Sequence, residues 1–250
     1  METIKVDIKR SLYNLPFGIA SLVTLLIVIL GAGFQMLFPE GAADGLAPYY
    51  HSMLVDTGLA SDIKLMLVPV LSTLPYTTAF LEDYTSGYLR FYLLRSEKEA
   101  YIKGKLLAVF LSGGLCLFVG IITSYFLLYL FFSPMELLDT EMVSPFLGIL
   151  TKALLFLVAG GFWSSVGFWF ANLTLSRYMA YAAPFVIDHV LVILQERYFL
   201  NLYVLNPKEW LTVTQPWPLG AWGVMIMLLL LSFIIMTLNF NQMEARVNHG

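Results

Sequence analysis

An acid and an imidazole sit side by side inside an apolar run, at Asp188 and His189 of MAYAAPFVIDHVLVIL. A charged side chain at the centre of a membrane helix costs about 2.5–3.5 kcal/mol on insertion scales, so such groups face a polar cavity or a partner. The alternative is that the helix ends early and both reach outer headgroups or water. On a helix, Asp188 shares one face with Tyr181, Phe185, Val192 and Gln195, while His189 points about 100° away. Tyr181, Phe185, Asp188 and Gln195 are therefore candidate lining for a substrate path. Catalysis asks for more than this pair. His51 and His249 fall in distant segments, no HExxH motif occurs, and no serine stands at a recognisable spacing from a histidine and an acid. There is also no GxxxxGK[ST] loop and no soluble stretch long enough for a nucleotide-binding fold. The reading is of no catalytic residue, no metal and no cofactor held by this chain.

The other dense group of ionisable side chains is LEDYTSGYLRFYLLRSEKEAYIKGK, residues 81–105, between two apolar runs. Its five cations, Arg90, Arg95, Lys98, Lys103 and Lys105, place it on the cytoplasmic side by the positive-inside rule. Ser96-Glu97-Lys98-Glu99 fits a capping box, with Ser96 as N-cap, so a helix should start there and run through Tyr101 and Lys105 into the next apolar run. Before it, Glu82–Leu94 is long enough for a short helix with Tyr88, Leu89, Tyr92 and Leu93 on one side. A plain solvated loop accounts for the cations but not for the aromatics.

The elements that must hold these groups are membrane helices. Of 250 residues, 59% are hydrophobic and 12% charged, about half the charge of a soluble domain at roughly 25%. Crossing the hydrocarbon needs about 20 apolar residues. Six stretches qualify or nearly do: 16–38, 64–81, 106–132, 146–171, 179–195 and 219–240. The second and fifth are short; Lys64 can snorkel out from the second, and Lys152 back out from the fourth. Glycines at 113, 114, 120, 160, 161 and 167 mark close helix approach. The chain is expected to be one membrane domain over 1–250, without repeats.

With six spans both termini share a side. That side would carry ten cations against four on the other, which places both termini in the cytoplasm of a cell membrane, read as a bacterial plasma membrane. The first fifteen residues carry Ile4, Ile8, Leu12 and Leu15 at helical spacing and predict an interfacial helix. Residues 195–218 hold many aromatics broken by prolines and predict short helices re-entering the outer leaflet before the sixth span. The net charge of −3 says little, because the charges are segregated by side; no basic patch for nucleic acid is present. The single cysteine, Cys116, rules out an intramolecular disulfide.

This layout resembles the ABC-2-type permeases, the membrane subunits of ATP-driven exporters. The shared features are an amphipathic N-terminal helix, six spans, a large segment before the sixth and the insert between the second and third. Within the insert, Glu82, Gly87, Arg95, Tyr101 and Lys105 look like that family's E…G…R…Y…K pattern, although Asp83 follows Glu82 where a base is common. The resemblance implies an all-α membrane protein whose insert is a coupling helix. Two permease subunits, identical or homologous, would enclose the path, and two separate ABC ATPase subunits, which bind the ATP and Mg, would dock on the insert. Coupling would use Glu82, Gly87, Leu89, Tyr92, Arg95, Tyr101 and Lys105. Permeases of this size resemble exporters of peptide antibiotics and other amphipathic molecules. Two other classes stay open: a membrane-embedded hydrolase, which would turn over a substrate with no ATPase present, and a non-transporting assembly subunit, which would have no ATPase encoded beside it.

Overall fold

The computed structural model describes residues 2–37, 46–93, 97–137 and 145–249. Their named elements are helices, and the one pairing of extended backbone among them is a parallel bridge between Leu46 and Glu136. Helices α8 (Lys98–Phe132), α9 (Pro145–Thr174), α10 (Arg177–Arg197) and α12 (Ala221–His249) are long and apolar enough to cross a membrane. Helices α1 (Glu2–Leu12) and α2 (Leu15–Gly31) reach that standard only as a pair bent by 50°, which makes four candidate spans, or five. The bend is written locally. Asn14 is extended and its side-chain oxygen accepts the Phe17 N–H at 2.8 Å, with Pro16 in the first turn of α2, so one helix is capped where the other stops.

The stretch expected as the second span, 64–81, is not one rod. It divides into α5 (Asp62–Thr73) and α6 (Ala79–Thr85), with turns between them. Leu74 keeps helical backbone, but Pro75 brings no N–H to continue the ladder, and the Thr77 hydroxyl bonds back to the Thr73 carbonyl. Twelve residues of α5 reach only ~18 Å against a ~30 Å hydrocarbon core. The first expected span is likewise interrupted, after Gly31, before a short α3 (Gly33–Leu37).

At the centre, α8 lies along α9, with α2 against α8 and both α10 and α12 against α9. Helix α5 fits among α8, α9 and α10, and α4 (Tyr50–Ala60) packs on α2 and α8. The closest approach is made by glycines: a Cβ added at Gly114 would stand 2.2 Å from the Leu157 carbonyl oxygen, and one at Gly160 2.6 Å from that of Gly113. Lys64 does not snorkel. It is 1% exposed, with Nζ 4.9 Å over the Phe156 ring and no hydrogen-bond partner among the described residues. Lys152 does reach the surface, where Nζ meets the Asp56 carboxylate at 2.7 Å.

Residues 195–218 are compact. A 3-10 turn at Tyr203–Leu205 precedes α11 (Pro207–Thr212), which Asn206 caps through the Lys208 N–H. Trp210 is buried, stacked on Trp163 of α9, and its Nε1–H donates to the Val204 carbonyl at 2.7 Å. On the same side as α4, His51 is buried against Glu136. The backbone N–H of His51 donates to Glu136 Oε1 at 2.7 Å, Nδ1 lies at the same distance, and Nε2 is 3.4 Å from the Tyr125 hydroxyl.

Candidate functional site

The insert and both chain ends meet at one end of the bundle. After α6, Gly87 takes a left-handed backbone with φ +73°, a conformation that suits a residue without Cβ, and the chain turns into α7 (Tyr88–Leu93). Helix α8 then begins at Lys98, well before the apolar run. Its N-cap is Glu97, extended and without a side-chain cap bond, whereas Ser96, expected as N-cap, lies outside the described residues; Glu99 pairs with Lys103 one turn on, at 2.7 Å. Helix α1 packs on this part of α8, with Asp7 and Ile4 next to Gly104. A second apolar cluster, with Phe80, Leu89, Tyr101, Ile102, Met243 and Val247 among its members, joins α6, α7, α8 and the end of α12.

Within this end a set of ionisable groups is buried together. Lys105 is 1% exposed and its Nζ is 2.8 Å from Asp83 Oδ2, 3.2 Å from Asp7 Oδ1 and 3.0 Å from the Tyr76 hydroxyl oxygen. The Tyr76 hydroxyl donates to Asp7 Oδ1 at 3.0 Å, and that of Tyr101 to Asp83 Oδ2 at 2.9 Å. Arg10, half-exposed, approaches Asp83 Oδ1 at 3.5 Å. Removing charges from water costs several kcal/mol per ion, and such a set persists only when each charge is matched by opposite charge and hydrogen bonds. Here two carboxylates meet one ammonium, one guanidinium and two phenols. The groups come from α1, the turn after α5, α6 and α8, so the cluster fastens four segments with directional contacts that tolerate little sliding.

Beside the cluster lies an open cleft of about 830 Å³, bordered by Arg10 of α1, Glu82, Thr85 and Ser86 around the end of α6, Tyr88 and Arg177. Glu82 accepts from the Thr78 hydroxyl at 2.9 Å and stands 4.0 Å from the Arg177 guanidinium. A smaller pocket of about 300 Å³ shares Arg10 and Glu82 and continues over Pro16, Leu74, Ala79 and Tyr181.

Of the residues expected to couple to a partner, Glu82, Gly87 and Tyr92 are half-buried and retain surface. Leu89, Tyr101 and Lys105 are buried within the chain and present none, so the surface anchor expected of Leu89 is an internal packing contact instead. Arg95 lies outside the described residues. Tyr92 rests on the Tyr101 ring at 5.0 Å between centroids, and its phenol is held above the ordinary value by burial first and by the Asp7 carboxylate second.

The candidate path residues are spread along α10. Tyr181 lines the smaller pocket at the α1 end of the bundle. Gln195, fourteen positions on and so ~21 Å along the helix, takes a bond from Asn206 at 3.1 Å. Asp188 is buried between them, 3.8 Å from His189 Nδ1, and Phe185 packs against the His189 ring. Sequence reading assigned no role to Asp7 or Tyr76, and marked Asp83 only as an acid where the resemblance would have a base. Asp7 left one trace, an acid set among Lys5, Lys9 and Arg10; nothing local marks Tyr76 as its partner. Among the described residues no group of three or more His, Cys, Asp or Glu side chains could hold a metal ion. No known family model matches the chain, and no curated protein matches it.

Proposed function

We propose that this chain is the permease subunit of an ATP-driven exporter of the ABC-2 kind. It would work as a single six-span membrane domain over 1–250, paired with a second permease copy or homologue and driven by two separate ATPase subunits. The observation that carries the reading is the buried Asp7–Tyr76–Lys105–Asp83–Tyr101 cluster. It fastens α6, the first short helix of the insert, to α1 and to the base of α8, so a push on α6 would reach a long apolar helix without dissipating in a loop. Glu82, Gly87, Tyr92 and Arg95 would supply the contact surface, and Tyr101 and Lys105 would act behind it as positioning residues. In this reading the pair bent by 50° at Asn14 would be a fifth span beside the four long helices, and the broken α5–α6 stretch would be the sixth. The helices of 203–212 would re-enter the outer leaflet, and Asp188 with its neighbours on α10 would line the path between two copies. An amphipathic cargo such as a peptide antibiotic fits a path lined by α10.

The test is affinity purification of the tagged chain from its own membrane, which is expected to bring down an ABC ATPase. Tyr92→Ala and Glu82→Lys should lose the ATPase while keeping the thermal transition of the permease. Full retention of the ATPase by both variants would remove the case for the insert as the handle, and recovery of no ATPase with the unaltered chain would favour an assembly subunit.

A further inference from the structure

We infer that the cleft between α1, α6 and the start of α10 binds a phosphate ester bearing a primary ammonium, the phosphoethanolamine group, presented by a membrane phospholipid. The inference stands apart from the ATPase reading and needs no second chain.

The charges come first. Arg10 and Arg177 border the cleft with Glu82, and Asp83 forms its floor beside Lys105 and Asp7. Three cations meet three carboxylates, so the region is neutral but strongly polarised. A simple anion would leave it net negative and a simple cation net positive. A zwitterion leaves it balanced and meets both signs.

The donors and acceptors are also sorted. The two guanidiniums offer N–H groups in the planar array that suits phosphate oxygens. Their carboxylate contacts are loose, at 3.5 Å for Arg10–Asp83 and 4.0 Å for Arg177–Glu82, so neither fork is filled. On the other side, the Thr85 hydroxyl gives its proton to the Leu81 carbonyl at 2.8 Å and the Ser86 hydroxyl to that of Asp83 at 3.4 Å. The Thr85 oxygen is left as an acceptor beside the Glu82 carboxylate, while that of Ser86 also takes the Tyr88 N–H at 3.4 Å. A primary ammonium has three N–H donors for such a set, whereas a trimethylated one has none.

Position selects the membrane as the source. The smaller pocket leads from Arg10 and Glu82 over Pro16, Leu74 and Ala79, the point where polar α1 gives way to apolar α2. Tyr13 and Tyr178 flank this level, each 85% exposed, as aromatic side chains do at a headgroup layer. A headgroup seated in the cleft can run its glycerol and first chain carbons along that apolar continuation.

The experiment uses the purified full-length protein and measures lipid retention by native mass spectrometry, with thermal stability in parallel. The probes are dioleoylphosphatidylethanolamine, dioleoylphosphatidylcholine, dioleoylphosphatidylglycerol and soluble O-phosphoethanolamine. The ethanolamine lipid should be retained over the other two, and Arg177→Gln should weaken it about tenfold, the worth of one charge-assisted contact. Glu82→Gln should move the preference toward the anionic glycerol lipid, because it removes one negative charge; loss of packing alone would not reverse a preference. Arg177→Lys, which keeps the charge, should recover part of the retention and serves as the folded comparison. Stabilisation by soluble O-phosphoethanolamine with the same response to the variants would support the site and assign it a soluble ligand. Equal retention of the three lipids by the unaltered protein, or a preference that Glu82→Gln leaves unmoved, would overturn the inference.

Discussion

Lys105 and Asp83, twenty-two positions apart in the chain, meet at 2.8 Å with both side chains withdrawn from solvent. That contact joins the base of the longest helix to the short helix ahead of it, and Asp7 of α1 closes the other side of the same ammonium at 3.2 Å.

Breaking one side of a buried ion pair strands the other. Lys105→Met, which leaves two buried carboxylates with the half-exposed Arg10 as their remaining cation, is expected to cost about 3–5 kcal/mol. Asp83→Asn should cost less, since Asp7 still answers the ammonium. Chemical or thermal unfolding in detergent reads both, and equal, small losses would show that the cluster is solvated in the working protein.

The Gly114 contact offers a matched pair of substitutions. Gly114→Ala drives a methyl to 2.2 Å from the Leu157 carbonyl oxygen, whereas Gly148→Ala meets nothing within 4 Å. The first should destabilise by about 1–3 kcal/mol through overpacking. The second should be neutral or stabilising by up to ~1 kcal/mol, because it removes a helix glycine. A shift of the same sign and size in both would refute the close packing of α8 on α9.

At the opposite end of α8, His51 and Glu136 share one hydrogen-bonded unit. His51→Ala and Glu136→Gln should therefore be non-additive. A double-mutant cycle is expected to give a coupling of about 0.5–3 kcal/mol. Strict additivity would mean that the two side chains do not meet.

Sidedness is open to direct measurement. In a Cys116→Ser background, Glu97→Cys places an exposed thiol at the start of α8. By the cation asymmetry it should resist a membrane-impermeant maleimide in intact cells and react after lysis. Reaction in intact cells would invert the proposed orientation.

How far the sequence alone reached depended on whether a feature was local. The long apolar runs of α8, α9, α10 and α12 were legible because each carries its own hydrophobic content. The division of 64–81 was hidden by that same signal. Its composition is apolar throughout, and the break rests on Pro75 and on two threonines that hydropathy scarcely registers. The buried cluster was half visible. Tyr101 and Lys105 were singled out, but as surface, because a tyrosine and a lysine just before an apolar run ordinarily face water. The approach of Asp83, of Tyr76 and of Asp7, ninety-eight positions upstream, changes that, and no local pattern encodes such pairings. Trp210 was noticed as an aromatic of the outer segment, yet its stacking on Trp163 is likewise a matter of tertiary geometry.

Helix α8 carries Lys105 at one end, Tyr125 beside His51 at the other and Gly114 pressed on Leu157 between them. From Gly114 the arms run ~14 Å to Lys105 and ~16 Å to Tyr125. If α8 tilted as a stiff rod about that contact, it would move as a see-saw with Gly114 as fulcrum. A tilt that lowers the Lys105 end by an ångström lifts the Tyr125 end by about as much in the opposite sense, so a displacement made on one face of the bilayer would arrive on the other with its direction reversed and its size almost unchanged.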